Sequence, residues 1–192
     1  MNILVFGQKQ SPVTLFLSQK GHSVIETSEP IDTQFLRENN IEFAISYRYR
    51  HIIRQNIIDF LHGKIINLHI SYLPWNRGAD PNLWSFLEDT PKGISIHYVD
   101  SGIDTGDIIA QKEILFNESD HTLSTTYEIL NQEIINLFKE NWSSIVKGKN
   151  PQIRQAEGGS VHRSKDKEPY LHLLDEKGWD TPVLEVKGKA LS

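Results

Sequence analysis

Ile3-Leu4-Val5-Phe6-Gly7, then Ser11-Pro12, then His22-Ser23-Val24-Ile25-Glu26 is the run that decides the fold class. The first piece is a short apolar stretch closed by glycine, as expected of a strand buried on both faces. Ser11 offers an N-cap side chain and Pro12 the residue favoured at the first helical position, so a helix is predicted from Pro12 to about Lys20, ended by Gly21. His22 to Glu26 reads as a second strand, Asp32 to Asn39 as a short Asp-capped helix, and Glu42 to Ser46 as a third strand. Working outward, Arg54 to Leu61 looks helical and Lys64 to Leu68 has the β-branched content of a buried strand. Asp80-Pro81 repeats the cap-then-proline signal for a helix carrying Leu83, Trp84 and Leu87, and two more strands follow over Gly93–Val99 and Asp107–Phe116. From Thr122 to Val146, Leu123, Tyr127, Leu130, Ile134, Leu137, Phe138, Trp142 and Ile145 recur three or four apart, the stripe of a long amphipathic helix. Strands alternating with covering helices specify an α/β protein: a three-layer, mostly parallel open sheet, with its ligand site beyond the carboxyl ends of the strands.

The predicted α/β domain spans 1–150, which the resemblance set out below makes the catalytic domain. After Asn150-Pro151 the character turns polar, with Gly158-Gly159 and His162-Arg163-Ser164-Lys165-Asp166-Lys167, so 151–192 is expected to be a C-terminal extension packed on that domain or on a second subunit.

Composition narrows the chemistry. Twenty Lys+Arg against 25 Asp+Glu leave a net charge of −5, which disfavours a large nucleic-acid footprint. The absence of cysteine removes thiolate nucleophiles and Cys-based metal sites, and fits a reducing compartment. No apolar run approaches the roughly 18 residues of a membrane span and no leader is apparent, so a cytoplasmic protein with no membrane partner is expected. His62, His97 and His121 lack any His-Glu-x-x-His spacing and read as structural or exposed, so no metal is expected.

Polar groups concentrate between residues 67 and 107. Asn67 and His69 alternate on one side of a strand end, and the loop after His97, with Asp100, Gly102, Asp104, Thr105, Gly106 and Asp107, can bring a carboxylate beside them. Each residue alone has an ordinary explanation as a cap, a buried imidazole or turn chemistry. Together an amide, an imidazole and a carboxylate can stabilise an oxyanion and accept a proton, the two needs of acyl transfer. No serine nucleophile elbow accompanies them.

Asn67-Leu68-His69-Ile70-Ser71-Tyr72-Leu73-Pro74, followed by His97…Asp104-Thr105-Gly106-Asp107, resembles the signature of the 10-formyltetrahydrofolate-dependent formyltransferases, over about residues 1–148. The resemblance implies a Rossmann-like fold and a catalytic triad of Asn67, His69 and Asp104. In it, Asn67 and a protonated His69 donate to the formyl oxygen, and Asp104 raises the imidazole pKa and takes the amine's proton. It implies a folate cosubstrate, 10-formyltetrahydrofolate, held by Tyr47, Arg48, Tyr49, Arg50, His51 and Ile52 and by Val99, Asp100 and Gly102, mainly through backbone groups.

The acceptor amine is read from departures within the family. Gly7-Gln8-Lys9-Gln10-Ser11-Pro12 is not the Gly-rich phosphate loop of the glycinamide ribonucleotide enzymes. Methionyl-tRNA formyltransferases carry a further C-terminal domain and basic insertions; Leu73-Pro74-Trp75-Asn76-Arg77-Gly78-Ala79 matches their motif and Asp80-Pro81-Asn82 then diverges. The run from Tyr72 to Asn82, with His162 to Lys167, looks most like the sugar N-formyltransferases of O-antigen and surface-polysaccharide synthesis. The implied acceptor is a nucleotide-linked amino sugar, first a dTDP-4-amino-4,6-dideoxyhexose and second a dTDP-3-amino sugar. Candidate substrate contacts are Lys9, Ser71, Trp75, Asn76, Arg77, Gly78 and Asp80, with Arg163 or Lys165 adding charge, and a homodimer is plausible. The alternatives are the methionyl-tRNA and glycinamide ribonucleotide activities and hydrolysis of 10-formyltetrahydrofolate, the last ranked low because the hydrolases add an N-terminal domain.

Overall fold

The computed structural model describes residues 1–191, so the last residue of the extension lies outside the described residues. Strand β1 (Asn2–Gly7) leads to α1 (Pro12–Gln19), β2 (Ser23–Thr27), α2 (Thr33–Glu38), β3 (Phe43–Tyr47), α3 (Gln55–Phe60) and β4 (Ile65–His69). The caps work as the sequence requires: Ser11 accepts from the Thr14 amide with Pro12 beside it, and Asp32 accepts from Phe35 at 2.9 Å. A short β5 (Arg77–Gly78) and α4 (Pro81–Leu87) follow, then β6 (Gly93–Tyr98), β7 (Ile108–Glu113) and α5 (Leu123–Val146), which opens on a capping box between Thr122 and Thr125. The remainder holds β8 (Val161–His162), two 3-10 segments and α6 (Val183–Val186).

The main sheet has the order β2-β1-β3-β4-β6-β7. Its first three pairings are parallel, whereas β6 runs antiparallel to both β4 and β7. One face packs on α1 and α5 through Ile3, Val5, Ile45, Ile66, Leu68, Ile94, Ile96, Leu130 and Phe138; the other packs on α2 and α3 through Leu4, Phe6, Ala44, Leu36 and Ile57. The antiparallel β6 changes where the site is built. Its end lies beside the start of β4, with Val99 N–H donating to the Ile65 carbonyl, so the loop after it does not leave from the carboxyl edge where His69 ends. It reaches the site by folding back over the sheet face.

Residues 151–191 fold against the same body. Ile153 exchanges two backbone hydrogen bonds with Ile108, β8 pairs with β5, and Val183 and Val186 are wholly buried against Leu83, Trp84, Phe86 and Leu87 of α4. Asp80 departs from its predicted role as cap of α4. It sits in the left-handed region at φ 52° and its carboxylate turns to Lys167 at 2.8 Å, leaving the helix start to Pro81.

Candidate active site

Alternation along β4 and β6 sorts their side chains by chemistry. Ile66, Leu68, Ile94 and Ile96 enter the core beneath α5, while Asn67, His69, Ser95 and His97 occupy the opposite face, with Asn67 directly across from His97 and His69 across from Ser95. Over these two strands the second face is therefore polar where it would otherwise be apolar.

Asp104 closes on this row. Its Oδ1 accepts from Asn67 Nδ2 at 2.9 Å and lies 3.4 Å from His97 Nε2, and its Oδ2 accepts from the Gly78 N–H at 2.8 Å and lies 3.7 Å from His69 Nδ1. The loop that carries it is knitted locally: the Asp100 carboxylate accepts from the Gly102 N–H and the Thr105 hydroxyl, and a Cβ at Gly102 would lie 2.0 Å from Thr105 Oγ1. Gly78 faces a similar restriction. It has φ +87°, and a Cβ would meet the His162 carbonyl at 2.3 Å, so only glycine lets the loop approach β8 while aiming its amide at Asp104.

Burial would push the Asp104 carboxyl up; the His69 and His97 rings and the Gly78 amide overcome it and hold the group well below the usual carboxylate range. Burial pushes the His69 imidazole down, and the opposing Asp104 charge does not restore it. Asp104 does push the imidazole up, as expected, but burial outweighs it and the net direction is downward, which differs from the expected protonated ring. His69 Nε2 lies 3.1 Å from the Asn76 carbonyl, which can only accept, so Nε2 bears the hydrogen and Nδ1, facing Asp104, is the free base. Asn67 also departs from expectation. Its amide nitrogen already donates to Asp104 and lies 3.3 Å from His97 Nε2, so both its donors have partners in the resting site.

The loop after β4 supplies the scaffold. Ser71 is buried and donates to the Trp75 carbonyl, while Asn76 is fully buried and donates from its side chain to Thr90. These two side chains hold the loop and have no surface to offer a substrate, which corrects their expected role as contacts; the Asn76 carbonyl serves His69 instead. Trp75 is half-buried, Lys9 is exposed on the β1–α1 loop, and Asp80 is engaged by Lys167. Arg77 is half-buried, and its Nε and Nη2 donate to Gln155 Oε1 at 3.1 and 2.9 Å. It lines a cleft of about 310 Å³ with Ile103, Thr105, Val161, Arg163 and Asp166, beside the Asp104 loop. Lys165 is exposed and outside that lining.

The segment expected to hold folate lies at the end of β3. The Tyr47 side chain is buried and donates to Asn131, Arg48 sits over the Tyr127 ring, and Tyr49 packs on Phe6 and His51. Arg50 and His51 are exposed, as is Ile52 at 82%; Val99 is half-buried against Tyr49's cluster, and Asp100 and Gly102 are exposed. An aromatic ring and an uncovered isoleucine are the apolar surfaces this segment presents.

Two participants escaped the sequence reading. His97 was expected to be structural or exposed, yet it is 1% exposed and lies within reach of both Asn67 and Asp104. Its signal was the alternation Ile94-Ser95-Ile96-His97, with polar side chains at the same pitch as Asn67 and His69. Gln155, which donates to the carbonyls of Asp104 and Gly106, carried no signal, being one amide in a polar stretch.

Known proteins carry the same arrangement of elements. The family model described as "Formyl transferase" matches residues 5–140. The formyltransferase PseJ from Anoxybacillus kamchatkensis, whose crystal structure is in complex with UDP-4,6-dideoxy-4-formamido-L-AltNAc and tetrahydrofolate, is 51% identical, with a TM-score of 0.93 over 99% of this chain and 100% of that one. Among curated relatives, methionyl-tRNA formyltransferase of Caldanaerobacter subterraneus is 28% identical over 92% of this chain and 57% of its own. Phosphoribosylglycinamide formyltransferase of Bacillus subtilis is 37% identical over 58% and 55% respectively. The chain thus spans between a third and somewhat over half the length of the curated relatives it matches most strongly. Six strands in the order that brings Asn67, His69 and Asp104 together, a family match over most of the length and a 51%-identical relative over nearly all of it lead to one conclusion: this chain belongs to the formyl transferase family.

Proposed function

We propose that this protein transfers the formyl group of 10-formyltetrahydrofolate to the 4-amine of a UDP-linked 4-amino-4,6-dideoxy sugar. The observation that carries the reading is the 51% identity, over essentially both whole chains, with a formyltransferase that binds a UDP-linked 4-formamido sugar. That likeness favours uridine over the thymidine nucleotide expected from the sequence. Further support comes from the Arg77–Arg163 cleft beside Asp104, which suits a diphosphate, and from the β1–α1 loop. There Glu26 accepts from the Gln10 and Ser11 amides and the Thr14 hydroxyl, filling with a carboxylate the helix start that a ribonucleotide phosphate would use. Residues 1–150 carry the catalytic groups in this reading, and the extension that follows, 151–192, contributes Val161, Arg163 and Asp166 to the cleft.

The cosubstrate's formyl carbon supplies the electrophile. His69 Nδ1 takes the proton that the attacking amine sheds, and the resulting imidazolium lies against ionised Asp104, turning a 3.7 Å contact into an ion pair; as the tetrahedral carbon collapses, its bond to the folate N10 breaks and His69 returns the proton to that departing nitrogen. Asn67 keeps its shorter bond to Asp104 and turns its other N–H from His97 to the formyl oxygen, where negative charge develops. The Asn76 carbonyl holds the ring with Nδ1 toward the reaction throughout.

The test is mass-spectrometric detection of formylated product with 10-formyltetrahydrofolate and a panel of UDP- and dTDP-linked 3- and 4-amino sugars, glycinamide ribonucleotide and methionyl-tRNA. Product from a UDP-4-amino sugar is expected. Product only from methionyl-tRNA or the ribonucleotide, or formyl loss without any acceptor, overturns the reading.

A further inference from the structure

Gln155 has all its bonding capacity committed to two different parts of the site. Nε2 donates to the carbonyl oxygens of Asp104 at 2.7 Å and Gly106 at 2.9 Å, and Oε1 accepts from both Nε and Nη2 of Arg77. The partners fix the orientation of the amide, because turning it over would set its hydrogens against a guanidinium and its oxygen against two carbonyls. The segment is itself anchored two residues earlier, where Ile153 exchanges backbone hydrogen bonds with Ile108 at the start of β7.

Each partner needs holding. Asp104 is a non-glycine residue in the left-handed region, at φ 51°, a conformation that persists only where its surroundings enforce it. Arg77 is a long, flexible side chain whose planar fork recognises an oxyanion only when its plane is set, and it stands on the cleft wall beside Thr105 and Arg163. One amide fixes the backbone on both sides of Thr105 and one edge of the arginine, leaving the guanidinium's remaining N–H groups for the cleft. We propose that Gln155 is a positioning residue that couples the anion-holding wall of the cleft to the loop carrying Asp104, so that the C-terminal segment tunes both acceptor binding and turnover. The proposal rests on the reading of Asp104 and Arg77 given above.

The two halves of the amide can be separated. Gln155→Glu keeps an acceptor for Arg77 and replaces the donor that serves the carbonyls of Asp104 and Gly106; Gln155→Met removes both. With the acceptor that the panel identifies, Gln155→Glu is expected to lower kcat about tenfold to a hundredfold with KM for the nucleotide sugar nearly unchanged. Gln155→Met is expected to lower kcat similarly and raise KM about tenfold. Two measurements need no turnover: UDP affinity by calorimetry is expected to fall in Gln155→Met and hold in Gln155→Glu, and amide exchange over residues 100–106 is expected to quicken in both. Equal effects of the two variants on KM and UDP affinity, or unchanged exchange, overturn the coupling. If wild-type protein formylates none of the amines while affinity and exchange behave as stated, the acceptor reading fails and the positioning role stands.

Discussion

His69 and Asp104 fix the pH behaviour of the site. Burial holds the His69 imidazole below its ordinary value of 6.5, so the base stays neutral through neutral pH and is lost only on acidification. A profile of kcat/KM from pH 8 down to about 5 should be level and then fall, with the midpoint below 6.5. A midpoint above that value would restore the protonated resting ring. Stability has the same sign: between the lowered pKa and 6.5 the unfolded chain binds more protons than the native one, so native stability declines as pH falls through that interval. Asp104, also depressed, adds its loss at still lower pH. Asp104→Asn should lower kcat by about 10²- to 10⁴-fold and leave tetrahydrofolate affinity within twofold, checked by single-turnover kinetics and calorimetry. At Gly78, alanine would carry a Cβ at a positive φ into the His162 carbonyl, so Gly78→Ala should cost about 1–3 kcal/mol in urea unfolding and take the amide from Asp104.

The start of α1 shows how one strand end can close a site. Glu26, last but one in β2, accepts from two amides of the preceding loop and from Thr14, and lies against the positive end of an eight-residue helix. Glu26→Gln should lower stability by about 1 kcal/mol, read from the shift in urea midpoint at constant slope. The elements themselves were legible, because Ser11-Pro12, Asp32 and Thr122 name helix starts and the β-branched runs name strands. The direction of β6 was not: a buried strand with alternating Ile and polar residues reads the same in either direction, and pairing is settled by neighbours distant in the chain. From that direction follow the contact between His97 and Asn67 and the folded-back course of the Asp104 loop. Asn67, His69 and a carboxylate from the following loop were legible as chemistry, and the resemblance pointed to Asp104 among the loop's candidates; the buried state of Asn76 and Ser71 was not legible, since a polar residue in a loop gives no sign of whether its partners are protein or water.

Among the described residues three apolar clusters form the core, and the third is shared between α4, the start of α5 and the C-terminal segment. Trp142 reports on the cluster beneath the sheet and Trp84 on the shared one, so fluorescence and far-UV circular dichroism should give coincident urea transitions. Val183, far along the chain and wholly buried, tests the dependence directly: Val183→Ala should cost about 2 kcal/mol by the same measurement, while kcat per folded molecule stays unchanged. No described helix is long and apolar enough to cross a membrane. The pairing of residues 77–78 with 161–162, and the amide that ties Asp104 to a partner 51 residues later, also have a meaning in time. At roughly 5–20 residues per second, a ribosome delivers the carboxylate and the imidazole several seconds before the segment that braces them. The nascent chain therefore carries its carboxylate and imidazole unbraced until residues 155–162 have been made, and the Asp104 loop takes its final hold only then.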